Sequence, residues 1–338
     1  MNNFLFNFQS SYTGGGLKRL VAYLEWFDNN GGAYFIVNHR IKKLLPGNKH
    51  NILYYVNYSK IQKLLNIQNY LDDIVRQIGV DINLYYSYGI PVHYRVGEVN
   101  WFHLSNVLPL IKHSGYGIHL FRSIELKWLG VLIRNGYKNI EVLSAESNYS
   151  LSFFPSGLGH KLVVSPNGSD EEIKLFERHA DRTINDIAII NGTVVYKDLE
   201  SSYNIFLGLQ EDIPKLRLVI IGNSSWIPSR IKNSQFVDIL GELPHIKVID
   251  LLSSARFYIN TSRVENSWNA ASEGVLLASE SFISGINPHL ELIAIIGYEK
   301  YTLNDDILHV EKKNLTSKGL PTWLNIIEDM IKFTKYDF

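Results

Sequence analysis

Residues 4–37 of the chain read FLFNF-QSSYTGGG-LKRLVAYLEWF-DNNGG-AYFIV. A short apolar run is followed by a Ser/Thr/Gly turn, and then by apolar residues at helical spacing as far as Phe27. Asn-Asn-Gly-Gly ends that helix, and a second apolar run follows it. This order predicts a strand, a glycine turn, a helix and a second strand. Strands that alternate with helices of this length are typical of a parallel sheet covered on both faces.

The second half of the chain repeats the alternation. Further strands are predicted at 161–164, 187–190, 216–221 and 256–259, and further helices at 198–209, 269–278, 289–296 and 323–333. The strongest turn cluster near the middle is Ser165-Pro166-Asn167-Gly168. A chain of 338 residues is long enough for two domains that each bury a core. We therefore predict two open α/β domains with a boundary near residue 160 and ligands at the carboxyl ends of the strands.

The residue types that are absent exclude several kinds of site. The chain has no cysteine, which excludes disulfides, thiolate metal sites and a catalytic thiol. It has no Gly-Lys-Ser/Thr, His-Glu-x-x-His or Gly-x-Ser-x-Gly, which excludes a P-loop, the common zincin site and a hydrolase elbow. An Asp-x-Asp triplet is also missing, so no carboxylate pair of the kind that holds Mg²⁺ on a diphosphate is expected.

The sequence also lacks the segments that direct a protein into or across a membrane. The first residues lack a basic segment followed by a long apolar one, and no apolar run of about 18 residues occurs. We expect neither a signal peptide nor a membrane-spanning helix, and a cytoplasmic protein.

Charge is divided unequally between the halves although the formal net charge is +0. Residues 1–160 carry 15 Lys+Arg against 9 Asp+Glu, and residues 161–338 carry 18 against 24. Such a division indicates different partners for the two halves, or two domains of separate origin. Helix 121–138 also interleaves basic with apolar and aromatic residues, as a surface helix resting on anionic lipid would. An ordinary sheet-covering helix with a solvated basic face has the same pattern.

The glycine turn at Gly14–Gly16 invites comparison with a dinucleotide-binding fingerprint. Its amides lie between a first strand and a first helix, where they are able to bind an anion. Arg19, however, occupies the position of the third glycine, and the second strand ends in Val37-Asn38-His39 without an acidic residue for a ribose. A nicotinamide dehydrogenase is therefore disfavoured. A tight turn without any ligand is the simpler alternative.

The most informative segment is Asn260–Gly274, which follows the apolar strand 256–259. It holds Glu265 and Glu273, eight positions apart, across a loop and the first turns of a helix. The free amides of a helix start bind phosphate, while carboxylates at either side reach the hydroxyls of attached sugars. Alone, such a pair is more often two solvated side chains.

Taken with its surroundings, the chain resembles the family-4 glycosyltransferases of the GT-B fold, whose E-x7-E motif corresponds to Glu265…Glu273. The resemblance covers most of the chain and rests on ordered segments. These are Gly14–Gly16, Val163–Asp170, Leu218–Gly222, Ile239–Leu243, Leu251–Asn260 and Glu265–Glu291. It implies two Rossmann-like parallel-sheet domains facing across a cleft: an acceptor-side domain at 1–160, a donor-binding domain at 161–320, and a C-terminal helix at 321–338 that packs back toward the first domain.

The resemblance also implies roles for residues on the donor side. Glu265 corresponds to the contact with the donor sugar ring and Glu273 to the contact with the ribose hydroxyls. The further donor-binding positions are Gly15, Gly16, Arg19, Gly222, Gly241, Leu243, Ser267, Trp268 and Asn269. Residues 266–270 are bulkier than the Gly-x-Gly-x-Pro stretch usual in the family, which would narrow the sugar pocket.

Phosphate neutralisation in the family uses an arginine and a lysine after the first strand of the second domain. Lys197 matches the lysine approximately, whereas Thr193 stands at the arginine position, so Lys18 or Arg19 is the expected substitute. In the first domain, His103 corresponds to a histidine near donor and acceptor, and Ser105 and Asn106 to the acceptor side. For Lys197 an exposed helix-end lysine, and for His103 a hydrogen-bonded core histidine, are the structural alternatives.

The resemblance implies a retaining glycosyltransferase, and the missing Asp-x-Asp triplet predicts that it needs no metal or other cofactor beyond its nucleotide-sugar co-substrate. The predicted acceptor is a saccharide or lipid-linked saccharide of O-antigen or capsule type. An anionic membrane surface is a further predicted partner, with the protein peripheral on its cytoplasmic face, and no nucleic acid is expected. Two alternatives remain open: a nucleotide-sugar 2-epimerase of the same architecture, and a non-catalytic nucleotide-sugar-binding subunit.

Overall fold

A computed structural model describes residues 2–57, 69–155, 157, 159–178, 184–298, 302–304, 306–315 and 319–336. The chain forms two compact units. The first consists of Met1–Lys112, His119–Gly168 and Pro321–Phe338, and the second of His113–Ile118 and Ser169–Leu320.

The first unit contains a seven-stranded sheet, parallel throughout, in the order β3-β2-β1-β4-β5-β6-β7. Its strands are β1 Phe4–Asn7, β2 Tyr34–Asn38, β3 Ile52–Val56, β4 Leu84–Tyr88, β5 Val99–Leu104, β6 Val142–Ala145 and β7 Lys161–Val164. Its helices are α1 Gly14–Asn29, α2 Asn69–Ile78, α3 Leu120–Gly136, α4 Asn148–Leu151 and the C-terminal helix α11 Trp323–Tyr336. The predicted strand, glycine turn and helix at the N-terminus are therefore confirmed.

Aromatic side chains dominate the core between this sheet and helix α1. Phe6 of β1 packs against Phe27 and Phe35 with ring centroids 4.9 and 5.0 Å apart. Helix α11 completes the same core, since Ile327 and Met330 are buried in it and the Tyr23 hydroxyl donates to Met330 Sδ at 3.6 Å. The predicted return of the C-terminal helix to the first domain is thus confirmed.

The second unit contains a mixed seven-stranded sheet in the order β10-β9-β8-β11-β12-β14-β13. Its strands are β8 Asn185–Asn191, β9 Arg217–Ile221, β10 Val237–Gly241, β11 Ala255–Asn260, β12 Glu280–Ser284, β13 Thr302–Asn304 and β14 Ile307–Glu311. Its helices are α5 Asp170–Arg178, α6 Leu199–Asp212, α7 Ser229–Lys232, α8 His245–Ser254, α9 Asn269–Leu277 and α10 Asn287–Ile295. Strands β8 to β12 are parallel to one another, whereas β14 runs antiparallel to both β12 and β13.

The first unit extends beyond the boundary predicted near residue 160. Strand β7 pairs with β6, with Val142 opposite Lys161, and so belongs to the first sheet. Its alternating half-buried and exposed residues are typical of a strand at a sheet edge. Apart from His113–Ile118, the chain passes to the second unit only after Gly168.

Helix α9 lies unusually close to strand β11. A Cβ atom at Gly274 would stand 1.9 Å from Cδ1 of the buried Tyr258 ring. Only glycine therefore lets the middle of helix α9, with the neighbouring Glu273, pack against Tyr258 of the central strand β11.

Gly274→Ala is expected to lower the free energy of unfolding by about 1–3 kcal/mol, because the ring or the helix must shift. Urea unfolding would measure the loss. The matched control is Gly208→Ala in helix α6, where no heavy atom lies within 4 Å of the added Cβ. That change should stabilise by about 0.5–1 kcal/mol. Equal effects of the two substitutions would contradict the packing argument.

Candidate functional site

An ion pair lies at the carboxyl edge of the second sheet. Lys197 follows strand β8 and Glu265 follows β11, which are neighbours, so both loops emerge at the same edge. Lys197 Nζ pairs with Glu265 Oε1, and Ser262 Oγ donates to the same oxygen at 2.7 Å. Their side chains are only 13% and 16% exposed. The structure therefore brings together the two residues predicted to handle the donor sugar and its phosphates.

The backbone beside Lys197 is fixed by Asp198, whose φ of 50° lies in the left-handed region. Asp198 caps helix α6, and its carboxylate pairs with Arg263 at 2.8 Å. Its carbonyl accepts a hydrogen bond from Thr261 Oγ1 at 2.7 Å. A left-handed non-glycine residue persists only where its surroundings hold it. These contacts tie the loop after β8 to the loop after β11, and with it the Lys197–Glu265 pair.

Glu273, the second carboxylate of the motif, is buried in helix α9 and only 6% exposed. Its Oε1 atom lies 2.9 Å from Nε2 of His245, the first residue of helix α8. Glu172 of helix α5 is the third member of this group: one ligand atom of each side chain lies within 4.8 Å of the others. Sequence reasoning missed His245 and Glu172, because no short spacing connects either of them to Glu273.

The remaining predicted donor residues occupy turns of the same unit. The Gly222 amide donates to the Gly241 carbonyl at 2.8 Å, and a Cβ at Gly222 would lie 2.9 Å from the Thr193 side chain. Leu243 packs partly buried against the core. Ser267 Oγ accepts from the Asn269 amide at 3.4 Å. Trp268 is only 1% exposed, so its indole belongs to the core and does not line a pocket.

A buried histidine lies near the ion pair. His289 is fully buried, and its Nδ1 lies 2.8 Å from the Ser284 carbonyl. Ser284 Oγ in turn donates to the Ser262 carbonyl at 2.6 Å. Burial lowers the pKa of His289 to about 4, although the Glu265 charge opposes this. A neutral imidazole therefore supports the loop that carries Ser262 and Glu265.

The first unit holds a separate cavity of about 350 Å³. Its lining combines the glycine turn after β1, the loops after β4 and β5, and one face of helix α3. Four of the predicted residues line it: Gly15, Gly16, Ser105 and Asn106. Sequence reasoning missed the contribution of α3, which includes Arg122, Glu125 and Trp128. Arg122 pairs with Glu125 at 2.8 Å. The surface that lines the cavity is thus mainly polar, and apolar side chains contribute the smaller share.

His103 does not line this cavity. It is fully buried, stacks on Tyr88 with ring centroids 5.0 Å apart, and its Nδ1 lies 2.9 Å from Ser144 Oγ. Burial, reinforced by the charge of Arg19, lowers the pKa of His103 to about 4. His103 is therefore a hydrogen-bonded core histidine, the alternative given in the sequence analysis. The predicted catalytic role is wrong, because a substrate has no access to the buried ring.

Arg19 was predicted to bind the donor, but its side chain lies in the core of the first unit. Its guanidinium is fully buried and donates to Ser165 Oγ at 3.0 Å, to the carbonyls of Ser165 and Pro166 at 2.6 and 2.7 Å, and through Nε to Asn167 at 3.1 Å. The group is thus committed to the turn that ends the first unit. This corrects the prediction, since a guanidinium so engaged is not available to a diphosphate.

A buried carboxylate accompanies this arginine. Glu146 accepts from the Tyr88 hydroxyl at 2.9 Å and lies 3.9 Å from His103 Nε2. Burial alone would raise the pKa of Glu146, but His103, Arg19 and Tyr88 together lower it to about 2. The first unit therefore contains an ionised glutamate next to a neutral histidine.

Stability is expected to fall as the pH drops below about 6.5. Between pH 6.5 and 4 the unfolded chain binds protons that buried His103 and His289 do not, so the folded state loses free energy. Below about 4.5 Glu146 adds to the loss in the same direction. Urea unfolding at several pH values would measure the slope. His103→Gln should reduce the slope between pH 6.5 and 4; an unchanged slope would contradict the assignment.

No model of a known protein family matches the sequence, and no curated protein matches it. Solved structures do match. The HepE protein of Anabaena, solved with UDP and glucose, is 14% identical, with a TM-score of 0.58 over 100% of this chain and 91% of HepE. WaaG, a glycosyltransferase involved in lipopolysaccharide biosynthesis, is 11% identical, with a TM-score of 0.60 over 86% of this chain and 83% of WaaG.

A further similar structure is an enzyme of another class. The UDP-GlcNAc 2-epimerase of Methanocaldococcus jannaschii is 11% identical, with a TM-score of 0.56 over 98% of this chain and 99% of the epimerase. At such identities the likenesses establish the fold alone. The predicted GT-B class, with two Rossmann-like domains and a helical C-terminus, is confirmed.

Proposed function

We propose that the protein is a glycosyltransferase that moves a sugar from a nucleotide donor to a saccharide or lipid-linked saccharide. One observation carries the proposal: Lys197 and Glu265, which the resemblance assigns to the donor, form an ion pair at the carboxyl edge of the second sheet. Glu273 lies close by in sequence, in helix α9. The fold shared with HepE and WaaG supports it.

The contacts of Glu265 suggest how it would act. Lys197 and Ser262 both contact Oε1, so Oε2 is the oxygen we assign to a hydroxyl of the donor sugar. The Lys197 ammonium would stabilise the charge that develops on the leaving diphosphate, since such electrostatic stabilisation is commonly the largest contribution to catalysis. Glu273 would hold the ribose.

We further propose that the reaction retains the anomeric configuration. Glu265 is assigned to position the donor sugar, and no pair of carboxylates is assigned as nucleophile and acid, which suits a front-face reaction. The bond from the anomeric carbon to the donor phosphate breaks, the acceptor oxygen forms the new bond on the same face, and the leaving phosphate takes the acceptor proton. No metal is required in this scheme. Proton NMR of the product, with EDTA present, would check both stereochemistry and metal independence.

The cavity of the first unit is the proposed acceptor site. The indole of Trp128 offers a flat apolar face, while Asn106, Arg122 and Glu125 offer groups that bind hydroxyls. A mainly polar lining suits a saccharide, because hydroxyl groups withdrawn from water need hydrogen-bond partners. An O-antigen or capsule precursor fits this chemistry.

The same helix supports the proposed membrane partner. Large apolar side chains at helical spacing are exposed along α3: Leu120, Phe121, Ile124, Trp128 and Val131, of which Phe121 is 77% exposed. Exposed Lys127 and Arg134 flank them, which suits anionic lipid headgroups. We propose that this stripe rests on the cytoplasmic face of a membrane. Among the described residues no helix has the length and apolarity to span a bilayer.

Flotation with vesicles of anionic lipid should retain the wild-type protein at moderate salt. Phe121→Glu should weaken retention about tenfold or more, because burying one such side chain contributes about 1.5–3 kcal/mol. The matched control is Leu324→Glu on helix α11, which is also exposed in the first unit and should change nothing. Equal retention of both variants would contradict the proposed surface.

The donor is testable without knowledge of the acceptor. Thermal unfolding in the presence of UDP-, GDP-, dTDP- or CMP-sugars should single out one nucleotide. A ligand at 100 times its dissociation constant stabilises by about 2.7 kcal/mol. No stabilisation by any of the four would count against the proposed function.

The epimerase remains a second candidate, because its fold matches nearly the whole of both chains. Incubation of UDP-GlcNAc without acceptor separates the two enzymes. Formation of the 2-epimer would favour epimerisation, while transfer only after addition of an acceptor would favour the proposed activity. Nucleotide-sugar binding without either reaction would indicate the non-catalytic subunit.

A further inference from the structure

A group of exposed cations follows strand β2 in the first unit. Arg40, Lys42 and Lys43, called the basic patch below, come directly after the strand ends at Asn38, and all three residues are exposed. None of them forms an ion pair with a residue that the structure describes. Like charges this close repel one another, and a bound anion would relieve the repulsion.

Two tyrosine rings hold part of the basic patch in place. The Arg40 guanidinium lies over the Tyr12 ring, 6.0 Å from its centroid, and Lys42 Nζ lies over the Tyr55 ring at 5.1 Å. Cations at such distances are attracted to the face of an aromatic ring. The two side chains are therefore ordered before an anion arrives, which reduces the entropy lost on binding.

Backbone contacts place the basic patch beside the cavity of the first unit. Asn38 Oδ1 accepts from the Arg40 amide at 3.0 Å, and Asn38 Nδ2 donates to the Gln9 carbonyl at 3.1 Å. The loop after β2 is thus tied to the loop after β1. That second loop continues through Tyr12, and the residues on either side of Tyr12 line the cavity. The Arg40 guanidinium, over the Tyr12 ring, therefore lies next to the cavity.

A separate observation indicates that the cavity takes a ligand. Ser11 lines the cavity and is only 2% exposed, yet its Oγ has no hydrogen-bond partner among the described residues. A buried hydroxyl without a partner costs free energy. A hydroxyl group of a bound saccharide would supply the partner that Ser11 lacks.

The charge of the basic patch suits a phosphate ester as its anion. A phosphate monoester carries up to two negative charges, which matches several adjacent cations better than one carboxylate does. The guanidinium of Arg40 presents a planar fork of donors that fits two phosphate oxygens, while the ammonium groups of Lys42 and Lys43 add compact charges.

We propose that Arg40, Lys42 and Lys43 form a binding site for a phosphate ester beside the cavity. Two sources can supply this group: a phosphate carried by the saccharide in the cavity, or the headgroup of an anionic phospholipid. The first source rests on the proposed function, in which the cavity holds the acceptor, and it makes that acceptor a phosphorylated saccharide. The second rests on the proposed membrane contact.

Calorimetric titration with inorganic pyrophosphate tests the site without knowledge of the acceptor. The patch variant, Arg40→Gln with Lys42→Gln and Lys43→Gln, should bind at least tenfold more weakly than wild type. The control variant removes three exposed charges elsewhere in the first unit and should change binding less than twofold; it combines Lys49→Gln, Lys112→Gln and Lys138→Gln. Raising the salt from about 0.05 to about 0.5 M should weaken binding by wild type and control far more than by the patch variant.

Flotation with vesicles of phosphatidylglycerol and phosphatidylcholine separates the two sources. Weaker pyrophosphate binding by the patch variant, with unchanged flotation, would assign the site to a phosphate on the saccharide. Weaker flotation with unchanged pyrophosphate binding would assign it to lipid headgroups, and loss of both would support the site for either source. Equal behaviour of patch and control variants in both assays would overturn the site.

Lys197→Gln separates this site from the proposed donor site. It should leave the pyrophosphate binding that the patch variant loses, because Lys197 belongs to the second unit. Pyrophosphate binding that vanishes in Lys197→Gln and persists in the patch variant would overturn the site in solution. Absence of sugar transfer to every acceptor would instead count against the proposed function, since neither the titration nor the flotation depends on transfer.

Discussion

Glu265→Gln is expected to lower the rate of sugar transfer by about 10²- to 10³-fold, while the affinity for the free nucleotide changes little. Glutamine has the size of glutamate but lacks the negative charge that pairs with Lys197 and accepts the hydrogen bond from Ser262. The sugar would then be badly oriented and the diphosphate poorly stabilised, whereas the ribose contact of Glu273 would remain.

The two glutamates of the motif are expected to differ in their effect on nucleotide affinity. Glu273→Gln should weaken nucleotide binding, and Glu265→Gln should not. Steady-state kinetics with calorimetric nucleotide titration would separate the effects on kcat and Kd. Glu280→Gln serves as control, because it removes an ion-paired carboxylate outside the motif and should leave transfer unchanged. Near-normal turnover of Glu265→Gln would refute the role assigned to Glu265.

Arg19→Met should destabilise the first unit by about 3–5 kcal/mol, because it removes the buried guanidinium and leaves its hydrogen-bond acceptors and the Glu146 carboxylate without that positive charge. Four acceptors in Ser165–Asn167 would lose their donor, and Glu146 would remain ionised without the charge that offsets its burial. A loss of this size is a large part of the stability of most domains. Urea unfolding followed by near-ultraviolet circular dichroism would report it.

The control for this change is Arg76→Met. Arg76 pairs with Asp73 on the surface, with 76% of its side chain exposed, and such pairs contribute about 1 kcal/mol or less. Glu146→Gln in the Arg19→Met background should recover part of the loss, because no uncompensated charge would remain. A loss below about 1 kcal/mol for Arg19→Met would show that the buried network is not needed for stability.

Local patterns in the sequence were sufficient for much of the fold. The apolar run, glycine turn and helical spacing of residues 4–27 predict β1 and α1, and the strand before Asn260 leads correctly to the loop of Glu265. Lys197 and Glu265 were each assigned to the donor site through the resemblance, and the structure shows that the two form an ion pair. Their roles remain a proposal.

Other features depend on contacts between distant residues. Arg19 meets Ser165 across 146 positions, so no window of sequence distinguishes its buried guanidinium from one that faces a ligand. His103 is enclosed by Tyr88 and Ser144 of neighbouring strands, which its own flanking residues do not reveal. Helix α3 carries apolar residues on both faces, and which face meets the sheet is decided by packing rather than by periodicity.

The return of helix α11 to the first unit has a consequence for synthesis. Ile327 and Met330 complete a core whose other residues begin at Phe4, so the ribosome makes the last part of that core after the whole of the second unit. The second unit, continuous in sequence apart from 113–118, has all its strands available earlier. Nascent chains released before residue 323 would therefore expose apolar surface on α1, and they would be the species most prone to aggregate and to be bound by chaperones.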